Sequence, residues 1–431
     1  MWLLDKMLKP LIRKGRLVVT DHDGTVYDYG DPAAEPLRIR FTDKKAAFHI
    51  ARDPRIGAGE AYTDGRLVVE APHDIRDMVL LVMGQGSSSA VNPRNPLRRM
   101  ADRLGSQLDQ MNHRARARAN VEHHYDLTRR FYELFLDSDR QYTMAYFADP
   151  GSSLEQAQVA KQALVAAKLH MTAGQSAGQT EGQSAGMRVL DIGSGWGGLG
   201  LFLNRHYGCE VLGVSLAPDQ VRFANERAAA AGVADKVKFE LIDYRDVTGQ
   251  FDRITSIGML EHVGARSYEE YFAKTFDLLA DDGVMLTHTI GRTGPNGATD
   301  KWNRKYIFPG HYLPAISELT HALEQTSWKT TDIEVLRFHY AHTLAEWYRR
   351  ATLHRAEIEA LYDARFLRMW QFYLAGAEQG FRRGNLVNFH IQSVKRPDVL
   401  PMTRDYIGTE MARLMAASEA PQWHLEREAA E

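Results

Sequence analysis

The sequence predicts an α/β protein: a doubly wound, mostly parallel sheet preceded by a small N-terminal α+β domain. Three observations carry this. From about residue 121, apolar strand-like runs alternate with helical stretches, the order that builds parallel sheets. Before residue 72 the apolar runs are short and separated by tight turns. Between these regions in character, Val189-Leu190-Asp191-Ile192-Gly193-Ser194-Gly195-Trp196-Gly197-Gly198 reads as a strand, a glycine turn and the first turn of a helix.

The opening segment, Met1 to Lys14, has apolar residues at helical spacing with Lys6, Lys9, Arg13 and Lys14 between them. It suits either an interfacial amphipathic helix or a helix packed on its own domain. Strands are expected at 16–20, 26–29, 37–41 and 67–70, with turns at His22-Asp23-Gly24 and Thr63-Asp64-Gly65, and a helix near 74–84. Residues 84–120 are polar and arginine-rich, and read as a junction: a solvated linker helix, or a basic collar facing anionic head groups. The expected division is 1–112 and 113–431. In the second part, strands are expected at 188–192, 210–215, 237–242, 252–257 and 283–290, with helices between them. Residues 172–187 repeat Gly-Gln-Ser/Thr among small residues and read as a flexible insertion without a catalytic role. Residues 340–385 read as aromatic-rich helices, 387–393 as a closing strand, and the tail after about 415 as loose.

Composition narrows the function classes. A chain of 431 residues with 44% hydrophobic and 25% charged residues suits two globular domains. A net charge of −2 gives no general attraction to nucleic acid. The single cysteine, Cys209, excludes an internal disulfide, and no Cys/His set has zinc spacing, so no metal is expected. Apolar runs such as Met78–Met83 are far shorter than the roughly 20 residues of a spanning helix. Charges interrupt every apolar stretch of residues 1–16, unlike a signal peptide. The expected location is cytoplasmic, peripheral at the inner face of a membrane. A homodimer is a general prior for soluble enzymes and nothing more.

The glycine turn carries the first chemical signal. Gly193 and Gly195 allow a sharp backbone turn and a close ligand approach, because no Cβ intervenes. Asp191 sits at the strand end, two residues before the first glycine, where an acid suits an amine or sulfonium better than a phosphate. This D-x-G-x-G pattern resembles motif I of S-adenosylmethionine-dependent methyltransferases.

Further segments extend the resemblance in chain order. They are His123-His124-Tyr125-Asp126-Leu127, Phe131-Tyr132, Phe135-Leu136-Asp137 and Gln141-Tyr142-Thr143-Met144-Ala145-Tyr146-Phe147. Gly213 to Gln220, Glu261-His262-Val263-Gly264, His288-Thr289-Ile290, Phe308-Pro309-Gly310 and Phe338-His339-Tyr340 follow. Together, over roughly residues 120–395, they resemble the cyclopropane-fatty-acyl-phospholipid synthases, which include the mycolic acid cyclopropane synthases. The N-terminal region resembles the extra domain of the phospholipid-acting members. The resemblance implies a Rossmann-like methyltransferase sheet with helical acyl-binding additions, and methyl(ene) transfer from S-adenosylmethionine to the cis double bond of an unsaturated phospholipid acyl chain.

It also implies residue roles. Asp191, Gly193, Gly195 and Trp196 would meet the cofactor at the turn, Ser215 and Gln220 would hydrogen-bond its ribose side, Tyr244 would stack on adenine, and Tyr142 and Thr143 would cover it. Ring closure needs a base beside a dry acyl channel. The family meets that need with bicarbonate, and the matching residues are Glu261, His288, Tyr340 and the backbone of Ile290. Taken singly, Glu261 also reads as a helix-terminal acid, His288 as a satisfied buried histidine and Tyr340 as core. One departure stands out. Met144 occupies the position of a family cysteine, and methionine has no S–H and forms no thiolate. If Met144 shifts the bicarbonate, the proton leaves from a chain carbon instead, and the product is a methyl-branched or methylene fatty acid. Two other classes have thinner support: a non-catalytic lipid-binding module rests on Met144 alone, and nucleic-acid methylation on the arginines at 94–118 alone.

Overall fold

The structure is a computed structural model that describes residues 1–85, 127–171, 186–295, 297 and 300–418. The arginine-rich junction, the expected division at 112, His123 to Asp126, all but the end of the Gly-Gln-Ser insertion and the tail beyond 418 lie outside the described residues.

The first part comprises α1 (Trp2–Leu11), β1 (Arg16–Thr20), β2 (Val26–Gly30), β3 (Pro36–Phe41), α2 (Ala46–Arg52), α3 (Pro54–Thr63), β4 (Leu67–Val69) and α4 (Ile75–Met83). Next come α5 (Arg129–Glu133), α6 (Leu154–Lys168), β5 (Arg188–Ile192), α7 (Gly198–Tyr207), β6 (Glu210–Val214), α8 (Pro218–Ala230), β7 (Val237–Glu240) and β8 (Phe251–Ile257). The chain continues through α9 (Tyr268–Leu278), β9 (Leu279–Arg292), α10 (Lys301–Tyr306), α11 (Ile316–Glu324) and β10 (Lys329–Leu336). It ends with α12 (His339–Leu353), α13 (Arg355–Leu361), α14 (Ala364–Arg382), β11 (Leu386–Val394) and α15 (Asp405–Ala417). Two compact units result: 1–108 with 297–309 and 344–385, and 109–296 with 310–343 and 386–431.

The first unit holds a four-stranded sheet in the order β2-β1-β3-β4, with β1 antiparallel to β2 and parallel to β3. The apolar stripe of α1 is spent inside this unit: Leu4, Leu8 and Leu11 are buried, and Asp5 accepts a hydrogen bond from the Tyr29 hydroxyl at 3.0 Å. Of the two sequence readings of this helix, packing on its own domain is therefore the one observed, with Trp2 left 71% exposed. The aromatic helices belong to the same unit. Trp302 packs on Phe372 with ring centroids 4.7 Å apart, so closely over Gly59 that a Cβ there would lie 2.6 Å from the indole. Buried Glu378 of α14 accepts from Arg76 of α4 at 2.6 Å and from Arg382 at 2.6 Å, two guanidinium groups that offset the cost of burying its charge.

The second unit is built on a seven-stranded sheet in the order β10-β11-β9-β8-β5-β6-β7. β7, β6, β5, β8 and β9 run parallel, and β11 pairs antiparallel with both β9 and β10. The doubly wound, mostly parallel α/β sheet expected from the sequence is thus present. Alternate residues of β5 enter different cores: Val189 packs with Leu199, Phe202 and Leu203, while Leu190 and Ile192 pack with Ile254, Tyr271 and Met285. Asp191 therefore points to the face of Val189, the face covered by α6 and α7. Strand order reverses between β5 and β8, so their carboxyl ends open the crevice where such sheets bind ligands. β10 is the strand the sequence reading lacks.

Candidate active site

The turn after β5 is built by glycines because its backbone enters the left-handed region at Gly193, Gly195 and Gly197, with φ of +82°, +53° and +83°. The N–H groups of Gly193 and Ser194 both donate to the Val214 carbonyl, at 2.8 and 3.2 Å, which folds the turn over the end of β6. Space beside the turn is open at one point: a Cβ added to Gly195 would meet no atom within 4 Å. Three buried polar atoms gather in this stretch without a hydrogen-bond partner among the described residues: Asp191 Oδ2, Ser194 Oγ and Trp196 Nε1. Burial pushes the Asp191 carboxyl up to about 7, against a pull from the Lys161 ammonium.

The segment around Thr143 is clamped from below by α6. Lys161 Nζ donates to Thr143 Oγ1 at 3.0 Å and to Gln141 Oε1, and Gln158 Nε2 donates to the carbonyls of Gln141 and Thr143 at 3.1 and 3.0 Å. Asp139 accepts from Gln141 at 2.8 Å and Gln162 at 2.6 Å and pairs with Arg227, which also donates to the Trp196 carbonyl at 2.9 Å. Burial works against the Asp139 charge, but Arg227 overrides it and holds this carboxyl below its usual range. Burial also lowers the pKa of Lys161. Asp139 lies so close to the start of α7 that a Cβ on Gly198 would sit 2.1 Å from its Oδ2. This buried charge cluster was not foreseen from the sequence. Its members come from α6, α8 and the 137–143 segment, and no local spacing links them.

Ser215, Gln220 and Tyr244 follow the carboxyl ends of β6 and β7. Ser215 Oγ accepts from Ala217 N at 3.2 Å, an ordinary turn bond. Gln220 is buried in the first turn of α8. The Tyr244 ring meets Tyr271 edge-on, with centroids 5.6 Å apart. No bond links these three to the glycine turn.

The end of β8 connects this half to a second one. A Cβ at Gly258 would lie 3.1 Å from the Thr143 methyl, and one at Gly193 would lie 3.1 Å from Met259. Three residues further, Glu261 stands in the short 3-10 turn Leu260–His262. Its Oε1 accepts from Ile290 N at 2.6 Å, while its buried Oε2 has no partner among the described residues. Burial pushes this carboxyl up to about 7, with the Ile290 N–H pulling the other way.

His288, in register with Ile257 of β8, bonds His390 Nε2 through Nδ1 at 2.8 Å and Asn388 Nδ2 through Nε2 at 3.0 Å. With the Asn388 amide donating, Nε2 accepts and Nδ1 carries the proton directed at His390. Burial pushes His288 down to about 3 and His390 well below its usual value, so the pair stays neutral. Met144 is fully buried. Its neighbour Ala145 donates through N to Thr343 Oγ1 at 3.0 Å, and Phe147 N to His339 Nδ1 at 3.1 Å. The first turn of α12, which contains buried Tyr340, is thereby docked on the 144–147 segment. Glu261 and Ile290 are brought together, but as partners of each other. The Ile290 N–H and both His288 ring nitrogens are already bonded within the protein, so as placed these two residues do not offer themselves to a bound bicarbonate.

The comparisons with known proteins bear on the family and the fold. Residues 112–391 match the family model for mycolic acid cyclopropane synthetase. The chain is 33% identical over 347 residues to cyclopropane-fatty-acyl-phospholipid synthase of Escherichia coli K12, covering 80% of this chain and 85% of that one. It is 36% identical over 383 residues to tuberculostearic acid methyltransferase of Mycobacterium tuberculosis, covering 86% and 85%. The crystal structure of a mycolic acid cyclopropane synthase complexed with SAH and CTAB matches with a TM-score of 0.59 at 30% identity, over 64% of this chain and 97% of that one. A sheet that opens at β5 and β8, a glycine cradle at that opening and a family match over residues 112–391 lead to one conclusion: the chain belongs to the mycolic acid cyclopropane synthetase family.

Proposed function

We propose that this protein transfers a methyl(ene) group from S-adenosylmethionine to the cis double bond of an unsaturated acyl chain in membrane phospholipid, forming a cyclopropane fatty acid. The observation that carries this reading is the glycine cradle with its unsatisfied Asp191 carboxyl, joined through Gly258 and Met259 to the second buried carboxyl, Glu261. The cradle fits the cofactor. Asp191 Oδ2, Ser194 Oγ and Trp196 Nε1 lack partners, and the space at Gly195 admits a ligand against the backbone. When bound, the cofactor supplies an electrophilic methyl group on a sulfonium. Asp191 would face its cationic methionyl part, Gly193 and Gly195 would let the backbone approach it, and Tyr142 and Thr143 would cover it. Ser215 and Gln220 would reach the ribose, and Tyr244 the adenine. Tyr340 and Met144 would wall the acceptor side, where aromatic faces favour a developing cation.

The substrate places the protein at a membrane surface, peripherally and on the cytoplasmic side. Among the described residues no helix is long and apolar enough to cross a membrane. Exposed Trp2, with Lys6 Nζ 4.1 Å from its ring centre, is an apolar and basic pair suited to a lipid interface.

Met144 favours a second reading, C-methylation of the same chain without ring closure, to a methyl-branched or methylene product. The similarity to a protein named as a tuberculostearic acid methyltransferase supports it. One experiment separates the readings: incubation with unsaturated phospholipid vesicles and methyl-labelled cofactor, then proton NMR of the acyl fraction. Label with far-upfield methylene signals is expected. Label without them selects the second reading, and no label in the acyl fraction sinks both.

A further inference from the structure

We propose that Glu261 is itself the base that takes the proton at ring closure, through Oε2, and that no bound anion is needed. This rests on the function proposed above. The Ile290 N–H holds Oε1 at 2.6 Å and so fixes the carboxyl, with the Thr289 hydroxyl also favouring its charge, and Oε2 is buried without a hydrogen-bond partner among the described residues. The side chain is 1% exposed, so water does not compete for that oxygen. Two of the groups that would hold a bicarbonate are committed elsewhere: Ile290 N to Glu261, and His288 to Asn388 and His390. Met144, fully buried, brings no S–H to the site.

The step balances without a further reactant. The alkene π pair forms a bond to the methyl carbon as the C–S bond breaks, its electron pair staying on sulfur as a neutral thioether. Positive charge then rests on the adjacent chain carbon. The C–H pair of the new methyl closes the third ring bond, and its proton passes to the carboxylate Oε2. The sulfonium charge is thus exchanged for one proton on Glu261, which later leaves to solvent. If Oε2 takes the proton from a chain carbon instead, the same balance gives the alkene product.

The surroundings keep this carboxylate basic. Tyr268 and Tyr271 of α9 are phenols that burial holds in the neutral form, with the Glu261 charge adding to it. Tyr312 donates its backbone N–H to the Glu261 carbonyl at 3.0 Å. His262, next along the turn, is pushed down to about 4 by burial, and the His288–His390 pair is neutral. Among the described residues no lysine or arginine contributes to the Glu261 shift, and the groups that favour its charge are the neutral Ile290 N–H and Thr289 hydroxyl.

The test is turnover of unsaturated phospholipid vesicles by the full chain in buffer stripped of carbon dioxide, with and without added bicarbonate. Stripping is expected to change wild-type turnover by less than about twofold. Glu261→Gln is expected to lose at least ~100-fold, without rescue by bicarbonate and with cofactor affinity unchanged. A larger fall on stripping that bicarbonate restores overturns the assignment while sparing the proposed function. So does a Glu261→Gln enzyme of near wild-type turnover. No labelled acyl product in either buffer refutes the function and this assignment with it. The stripped-buffer comparison uses the wild-type protein, so it decides even if the variant does not fold.

Discussion

Asp191 and Glu261 are chemically alike, and the roles proposed for them are opposite. Both are fully buried, and burial pushes both up to about 7. Asp191 stands beside open space at a glycine turn, with the Lys161 ammonium near enough to favour its charge. Glu261 has a backbone N–H, the Thr289 hydroxyl and phenols around it, and among the described residues no lysine or arginine acts on it. The first is a carboxylate awaiting a cationic ligand. The second is a carboxyl kept near neutrality, suited to accept a proton. Burial raises the pKa of both carboxyls, and the neighbouring groups set how much of that rise survives, as Asp139 shows beside Arg227.

The largest expected effect separates the halves by kinetics. Glu261→Gln should cut turnover at least ~100-fold while leaving cofactor binding close to wild type; kcat and a cofactor binding isotherm on the same preparation check this. Asp191→Asn should act on the other quantity. Removing one partner of a buried charge pair costs about 2 kcal/mol or more, which predicts a loss of cofactor affinity of about 30-fold.

A smaller effect is pH dependence, and its sign follows from the two shifts. Cofactor binding favours ionised Asp191, so affinity should rise as pH approaches about 7 and then level, with proton release below that value. Calorimetry in two buffers of different ionisation heat measures the released proton. Turnover with saturating cofactor should fall about fivefold from pH 7 to pH 6 as Glu261 takes up its proton, and a profile flat over that range contradicts the base role. The smallest effect is expected for Met144→Cys. If Glu261 is the base, turnover changes by less than about threefold, and any change appears in the ratio of ring to non-ring product by NMR.

Much of this comparison is legible in the sequence, for physical reasons. Apolar runs mark β5, β6 and β8, because a buried parallel strand is apolar on both faces, and those of β5 and β8 end in a glycine. The Asp191 turn is legible because positive φ requires glycine at fixed spacing. β10 is not, since Lys329 to Leu336 is an edge strand paired only with β11 and mostly polar or exposed, so it carries no apolar run. The His288–His390 contact depends on the antiparallel register of β9 and β11, which no local pattern encodes. The inward packing of α1 is one of two readings left open by the sequence, because its stripe fits a membrane or a sheet alike. The Lys161 cluster escaped because α6 is buried almost all round, so its polar members break helical periodicity rather than follow it.

The central claim is that donor binding and proton acceptance reside in separate carboxyls. Titration of S-adenosylmethionine into the wild type, Glu261→Gln and Asp191→Asn tests it most directly. The account predicts wild-type affinity for the Glu261 variant and a loss of about 30-fold for the Asp191 variant. Equal losses in both, or wild-type affinity in Asp191→Asn, would contradict it.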